Sequence, residues 1–186
     1  MYSKRLRARF LIRAGILAVA ALYPFIYQGL KPSLRTRAER GDAEAQFQWA
    51  NELLNPGGVV ETFKPEGMKW LRKSAEQGYV RAQSCLAEAY TKGYEEKGER
   101  AAVEAARWFH EAAKRGHFYA QYRYSQACAT GQGVPQDLIE ACAWAGLAAT
   151  GGVSEYEHAF NELARRLTPE QIAKAKQRAA VYAAEK

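Results

Sequence analysis

The sequence predicts an all-α protein: an α/α solenoid of about three helix-turn-helix repeats plus a C-terminal helical cap, preceded by one transmembrane helix. Three observations carry that prediction. The motif G-x-x-x-A-Q recurs at Gly41–Gln46, Gly78–Gln83 and Gly116–Gln121, in steps of 37 and 38 residues. Tryptophan keeps the same beat at Trp70, Trp108 and Trp144, 38 and 36 residues apart, each followed by alanine-rich sequence. Upstream of both, residues 10–30 are almost wholly apolar. Two markers recurring in step identify a repeat chain, whose short units bury their apolar faces only against one another.

Residues 1–9 form a basic head, expected in the cytoplasm. With Arg13 it holds Lys4, Arg5, Arg7 and Arg9 and no acid. Residues 10–30 then supply about the 20 apolar positions that a helix needs to cross a bilayer, provided Arg13 snorkels to the interface. Tyr23 and Tyr27 suit the far interface. A buried core helix would show a polar stripe, whereas here apolar residues surround the helix. Ala18-Val19-Ala20 imitates a signal-peptidase site, but the apolar run continues past it, as in an uncleaved signal anchor. The five basic residues before the span face Lys31, Arg35, Arg37 and Arg40 after it. That balance orients the N-terminus inward and, in a bacterial cell, places a single-pass protein in the inner membrane with its repeats in the periplasm.

The net charge of +7 is confined to this region. Eight basic residues and no acid precede residue 38, so residues 38–186 carry −1. A nucleic-acid partner is excluded on that ground, since no basic field remains to attract phosphates.

A linker is expected over 31–37, three repeats over 38–151 and capping helices over 152–186. Each repeat reads as two helices, because apolar or small residues return three and four positions apart after both markers. In the first helices these are Ala45, Trp49, Ala50 and Leu53, then Ala82, Leu86, Ala87 and Tyr90, then Ala120, Tyr124, Ser125 and Cys128. Gly41, Gly78 and Gly116 suit left-handed helix ends, and Gly57, Gly93 and Gly131 open the turns within units. Gly131-Gln132-Gly133 is no phosphate loop, having neither a preceding strand nor a following Gly-Lys-Ser/Thr. Asp137 with Glu140, Ser154 with Glu157, and Thr168 with Gln171 have the spacing of capping boxes. Tyr156, Phe160, Leu163, Ala164 and Leu167 give the first cap helix an apolar face.

These residues resemble the Sel-one-like repeat family, a branch of the tetratricopeptide superfamily. The third unit keeps most of its pattern, in Gly131-x-Gly133-Val134-x-x-Asp137-x-x-x-Ala141-x-x-Trp144. Asn55-Pro56-Gly57-Gly58-Val59 in the first unit and Tyr94-Glu95-Glu96-Lys97-Gly98 in the second depart from it. The resemblance implies a protein-binding adaptor or scaffold, here one of the cell envelope with another envelope protein as partner. Two other roles found in the family are a periplasmic immunity protein that neutralises a secreted toxin such as a lipase, and an enzyme acting on cell walls. The cysteine pattern of the latter is not matched here.

No catalytic or metal motif is present. His110-Glu111 lacks the second histidine of a helical zinc protease, and no G-x-S-x-G or S-x-x-K occurs. His110, His117 and His158 suit surface or capping roles. Cys85, Cys128 and Cys142 form no C-x-x-C pair. Cys128 and Cys142, expected on paired helices of one unit, are candidates for a disulfide in an oxidising compartment. Nothing calls for a cofactor. The first helices of a solenoid line its concave face, and positions three, six and ten beyond each repeat glycine make one stripe per helix. These are Glu44, Phe47 and Asn51; Arg81, Ser84 and Glu88; Tyr119, Tyr122 and Gln126. Phe47, Tyr119 and Tyr122 are candidate anchors for a partner. The same aromatics equally suit packing between neighbouring units.

Overall fold

The structure, a computed structural model, describes residues 32–54, 64–93 and 98–184. Among these residues the chain forms nine helices and no strand: α1 (Leu34–Glu39), α2 (Ala43–Leu54), α3 (Lys64–Glu76), α4 (Val80–Thr91), α5 (Glu99–Lys114), α6 (Phe118–Thr130), α7 (Leu138–Ala149), α8 (Ser154–Ala164) and α9 (Pro169–Ala184). Helices α2 with α3, α4 with α5, and α6 with α7 are the three repeat pairs. Each pair stacks on the next, through α3 on α4 and α5 on α6. Helix α8 continues the stack against α7, and α9 folds back onto α7 from the cap.

The glycine of the repeat motif ends the helix that precedes each pair by the same geometry. Gly41, Gly78 and Gly116 have φ of 93°, 83° and 83°. The Gly78 N–H donates to Ala75 O at 2.9 Å, and the next N–H, of Tyr79, reaches Ser74 O at 3.1 Å. This is the Schellman end, in which a left-handed residue turns two orphan carbonyls inward to donors. Gly116 with His117 and Gly41 with Asp42 repeat the pattern.

The motif glutamine acts on the same carbonyl. Buried Gln46, Gln83 and Gln121 donate from Nε2 to Ala38 O, Ala75 O and Ala113 O at 3.1, 3.2 and 3.1 Å. One helix-end carbonyl thus accepts from both glycine and glutamine, fixing the angle between one helix and the next. The alanines of the motif, Ala45, Ala82 and Ala120, are fully buried, as the close approach of helices requires. Larger cores form around Met68, Leu71, Leu86, Phe109 and Trp144. Trp144 is buried, whereas Trp70, in the same register, is only partly buried with Lys73 Nζ 4.4 Å from its ring.

Several expectations change. Residues 34–37, expected in the linker, are the start of α1, which Ser33 caps and whose Ala38 is buried against the first repeat. Ser154 makes no capping box: it is the first residue of α8, and Val153 occupies the cap without a side-chain acceptor. Asp137 does cap α7 through Ile139 and Glu140 N–H, but the Glu140 carboxylate turns to Trp144, Arg178 and Tyr182. Thr168 and Gln171 form the full reciprocal box at 2.9 and 3.3 Å. The basic head, the apolar segment 10–30, the Gly57 turn and Tyr94–Lys97 lie outside the described residues. No helix among the described residues is long and apolar enough to cross a membrane.

Candidate functional site

The first helices bring six of the nine stripe residues to one open groove of about 460 Å³. Phe47 and Asn51 enter from α2, Arg81, Ser84 and Glu88 from α4, and Tyr119 from α6. The repeat register produces this convergence, since each residue sits a fixed number of turns beyond its Schellman glycine. Cys85 and His117 complete the lining, and the stripe pattern had not selected them.

Phe47 is largely buried and packs on Tyr79, ring centroids 5.3 Å apart, so it is a wall of the groove and not a projecting anchor. Tyr119 reaches from one repeat to the previous one: its hydroxyl donates to Glu88, which also accepts from Arg123. Arg123 Nη1 donates to the Tyr119 oxygen at 2.8 Å as well, and its guanidinium lies 5.1 Å from the Phe109 ring. Burial, reinforced by the bond to Glu88, pushes the Tyr119 pKa up to about 12, so the hydroxyl keeps its proton and continues to donate. Arg123 was absent from the stripe. Its only sequence signal is its place one turn after Tyr119, on the same helix face.

His117 caps α6, its Nδ1 accepting from the Ala120 N–H at 3.3 Å. Burial, then the charge of Arg81, lowers the His117 pKa. The imidazole is therefore neutral at pH 7, with its proton on Nε2, the only nitrogen free to carry it. The Cys85 thiol is exposed but crowded enough that burial raises its pKa.

Three stripe residues lie elsewhere. Glu44 is exposed and accepts from Gln48 Nε2 at 3.1 Å. Tyr122 donates to Glu155 at 2.9 Å and stacks on Tyr156 at 4.8 Å, while Gln126 donates to the Tyr122 oxygen at 2.7 Å. These contacts join α6 to the first cap helix.

The bridge considered between Cys128 and Cys142 is not formed. Both are free, buried thiols, and burial pushes that of Cys128 up to about 12, deep in the protonated, unreactive range at neutral pH. No group of three or more His, Cys, Asp or Glu among the described residues is placed to hold a metal ion. His110, half-buried, stacks on Tyr124 at 4.6 Å with its pKa lowered by burial and then by Lys114, which is a packing role.

Three stacked helix pairs with a shared first-helix face define a helical-repeat solenoid. The profile of the Sel1 repeat matches residues 43–79, 80–117 and 118–153, so the chain belongs to the Sel1 repeat family. Sel1-repeat proteins generally mediate protein–protein interactions and are not typically enzymes. Among solved structures, the chain is similar to a protective antigen of uropathogenic Escherichia coli with an SLR fold, at 28% identity and a TM-score of 0.72. That match covers 82% of this chain but 32% of the antigen, so the chain spans about a third of that protein's length. A Sel1 repeat protein from Oxalobacter formigenes is 30% identical with a TM-score of 0.62, over 69% of this chain and 95% of its own. No curated protein matches the sequence.

Proposed function

We propose that this protein is a membrane-anchored adaptor of the bacterial cell envelope that grips a partner protein in its first-helix groove. The observation that carries this is the convergence of Phe47, Asn51, Arg81, Ser84, Glu88 and Tyr119 on one open groove with mixed apolar and polar walls. Sites of that composition bury an anchor side chain while polar groups fix its orientation. Anchoring is supported by the apolar run 10–30 behind its basic head, and a bacterial setting by the sources of both similar structures. The repeat domain would face the periplasm, following the charge balance across the span.

Crosslinking in native membranes followed by mass spectrometry tests the adaptor role. A specific protein partner is expected, with its crosslinks clustered around α2, α4 and α6. Recovery of the isolated chain alone would end the proposal. Topology has its own probe in Cys85, the exposed cysteine among three. A membrane-impermeant maleimide should label it in spheroplasts, and labelling only after lysis would place the repeats on the other side.

A further inference from the structure

Within the groove, charge is distributed unevenly. At the Glu88 end the carboxylate is already engaged by Tyr119, Arg123 and, at 3.9 Å, Lys92. At the other end Arg81, exposed in the first turn of α4, has no carboxylate partner among the described residues. Arg81 lines the groove together with His117 and Cys85.

Around Arg81 stand further donors. Ser84 is only 5% exposed, yet its hydroxyl makes no hydrogen bond among the described residues. Its hydroxyl oxygen is not shut away from solvent, so it opens onto the groove, where an incoming group can take its hydrogen bond. The Asn51 amide is likewise unengaged among the described residues, and His117 has its Nε2–H free while Nδ1 is occupied. Guanidinium, hydroxyl, amide and imidazole N–H are all donors. Phe47 and Tyr119 supply apolar walls beside them.

We infer that this end of the groove is a carboxylate cradle, which takes an Asp or Glu side chain of an extended partner segment with an apolar neighbour against Phe47 and Tyr119. The inference rests on the adaptor proposal and specifies the chemistry of its partner. Arg81 supplies the charge-assisted bond, and Ser84 and Asn51 fill the remaining lone pairs of the carboxylate.

The test uses the full-length chain in mild detergent and fluorescein-labelled heptapeptide pools, with the central position fixed as Asp or Glu in one set and as Asn or Gln in the other. The acidic pools should be retained about tenfold more strongly, the factor expected of one charge-assisted hydrogen bond. Arg81→Gln should reduce them to the level of the amide pools, Arg81→Lys should keep part of the preference, and rising salt should erode it. Arg81 is an exposed helix residue, so circular dichroism of each variant should match the parent. Equal retention of acid and amide pools, an acid preference that survives Arg81→Gln, or a phosphoserine pool that outcompetes Asp and Glu would each overturn the cradle. Tyr119→Ala separates the two levels of proposal. Loss of every pool in that variant without acid preference in the parent leaves the groove as the binding site and removes only the cradle, whereas pools unaffected by it bind elsewhere and remove both. No retention of any pool overturns the cradle, and the membrane crosslinks then decide the adaptor role.

Discussion

The junction between the second and third repeats and the junction between the third repeat and the cap are each bridged by a stripe tyrosine of α6, but one is open and the other is closed. At the first, Tyr119 from α6 reaches back to Glu88 and leaves a groove in which Arg81, Ser84 and Asn51 face space. At the second, Tyr122 from the same helix reaches forward to Glu155 and lies flat against Tyr156. Gln126 then covers the Tyr122 oxygen. A tyrosine on a solenoid face is therefore an anchor or a staple according to what the neighbouring unit offers it. The contacts of Tyr122 close the junction with the cap, so the open groove lies on the N-terminal side of α6.

Gly133→Ala should have the largest effect, because both junctions depend on the seating of α6 and α7 against α5. Gly133 has a φ of 76°, and a Cβ there would lie 2.1 Å from the backbone oxygen of Ala102. Left-handed strain and overpacking together should cost about 2–5 kcal/mol, read as a fall in the urea midpoint. A stability loss within about 0.5 kcal/mol would show that the turn can move away from α5.

Gln121→Ala comes next. This side chain is fully buried and bonds Ala113 O across the boundary between repeats. Its loss should cost about 1–3 kcal/mol. Since Ala113 O still accepts from Gly116, the helix end should persist while the angle between α5 and α6 relaxes, so partner capture should weaken along with stability.

The tyrosines divide the two junctions directly. Tyr122→Ala should lower stability by about 1 kcal/mol through the lost ring stack while leaving partner capture unchanged. Tyr119→Ala should weaken capture, and crosslinking yield measured beside thermal melting will resolve the two. Equal effects on capture would erase the distinction between open groove and closed junction.

The smallest effect is one of pH. Burial, then Arg81 at His117 and Lys114 at His110, holds the pKa of both histidines below their ordinary value of 6.5. The unfolded chain binds those protons more readily, so their contribution to stability is complete above about pH 6.5 and is lost as pH falls toward the folded values. His117→Asn keeps a capping side chain without the titration and should flatten part of the decline in the urea midpoint between pH 7.5 and 5.5. A parent midpoint constant over that window would remove both histidines as pH-sensitive elements.

Much of the fold is legible in the sequence because its determinants are local. A left-handed glycine ends a helix through bonds to residues three and five positions earlier, and the motif glutamine reaches eight positions back. Spacing alone therefore located each helix pair, and the pairing of Thr168 with Gln171 as well. Local pattern misled at Ser154, where the chain begins its helix one residue sooner, and at 34–37, where Ser33 and a buried Ala38 nucleate a helix in the expected linker. The stripe was a register argument, so it found the face and six groove residues but not Cys85, His117 or Arg123, which enter by position in space.

What the sequence by itself determined is the unit: its length, its two helices and the residues that turn one into the next, all fixed by hydrogen bonds that span at most a few turns. Only the tertiary structure decided which stripe residues line an open groove. That choice depends on contacts such as Tyr119 with Glu88 and Tyr122 with Glu155, 31 and 33 residues apart, whose existence is set by how one hairpin stacks on the next.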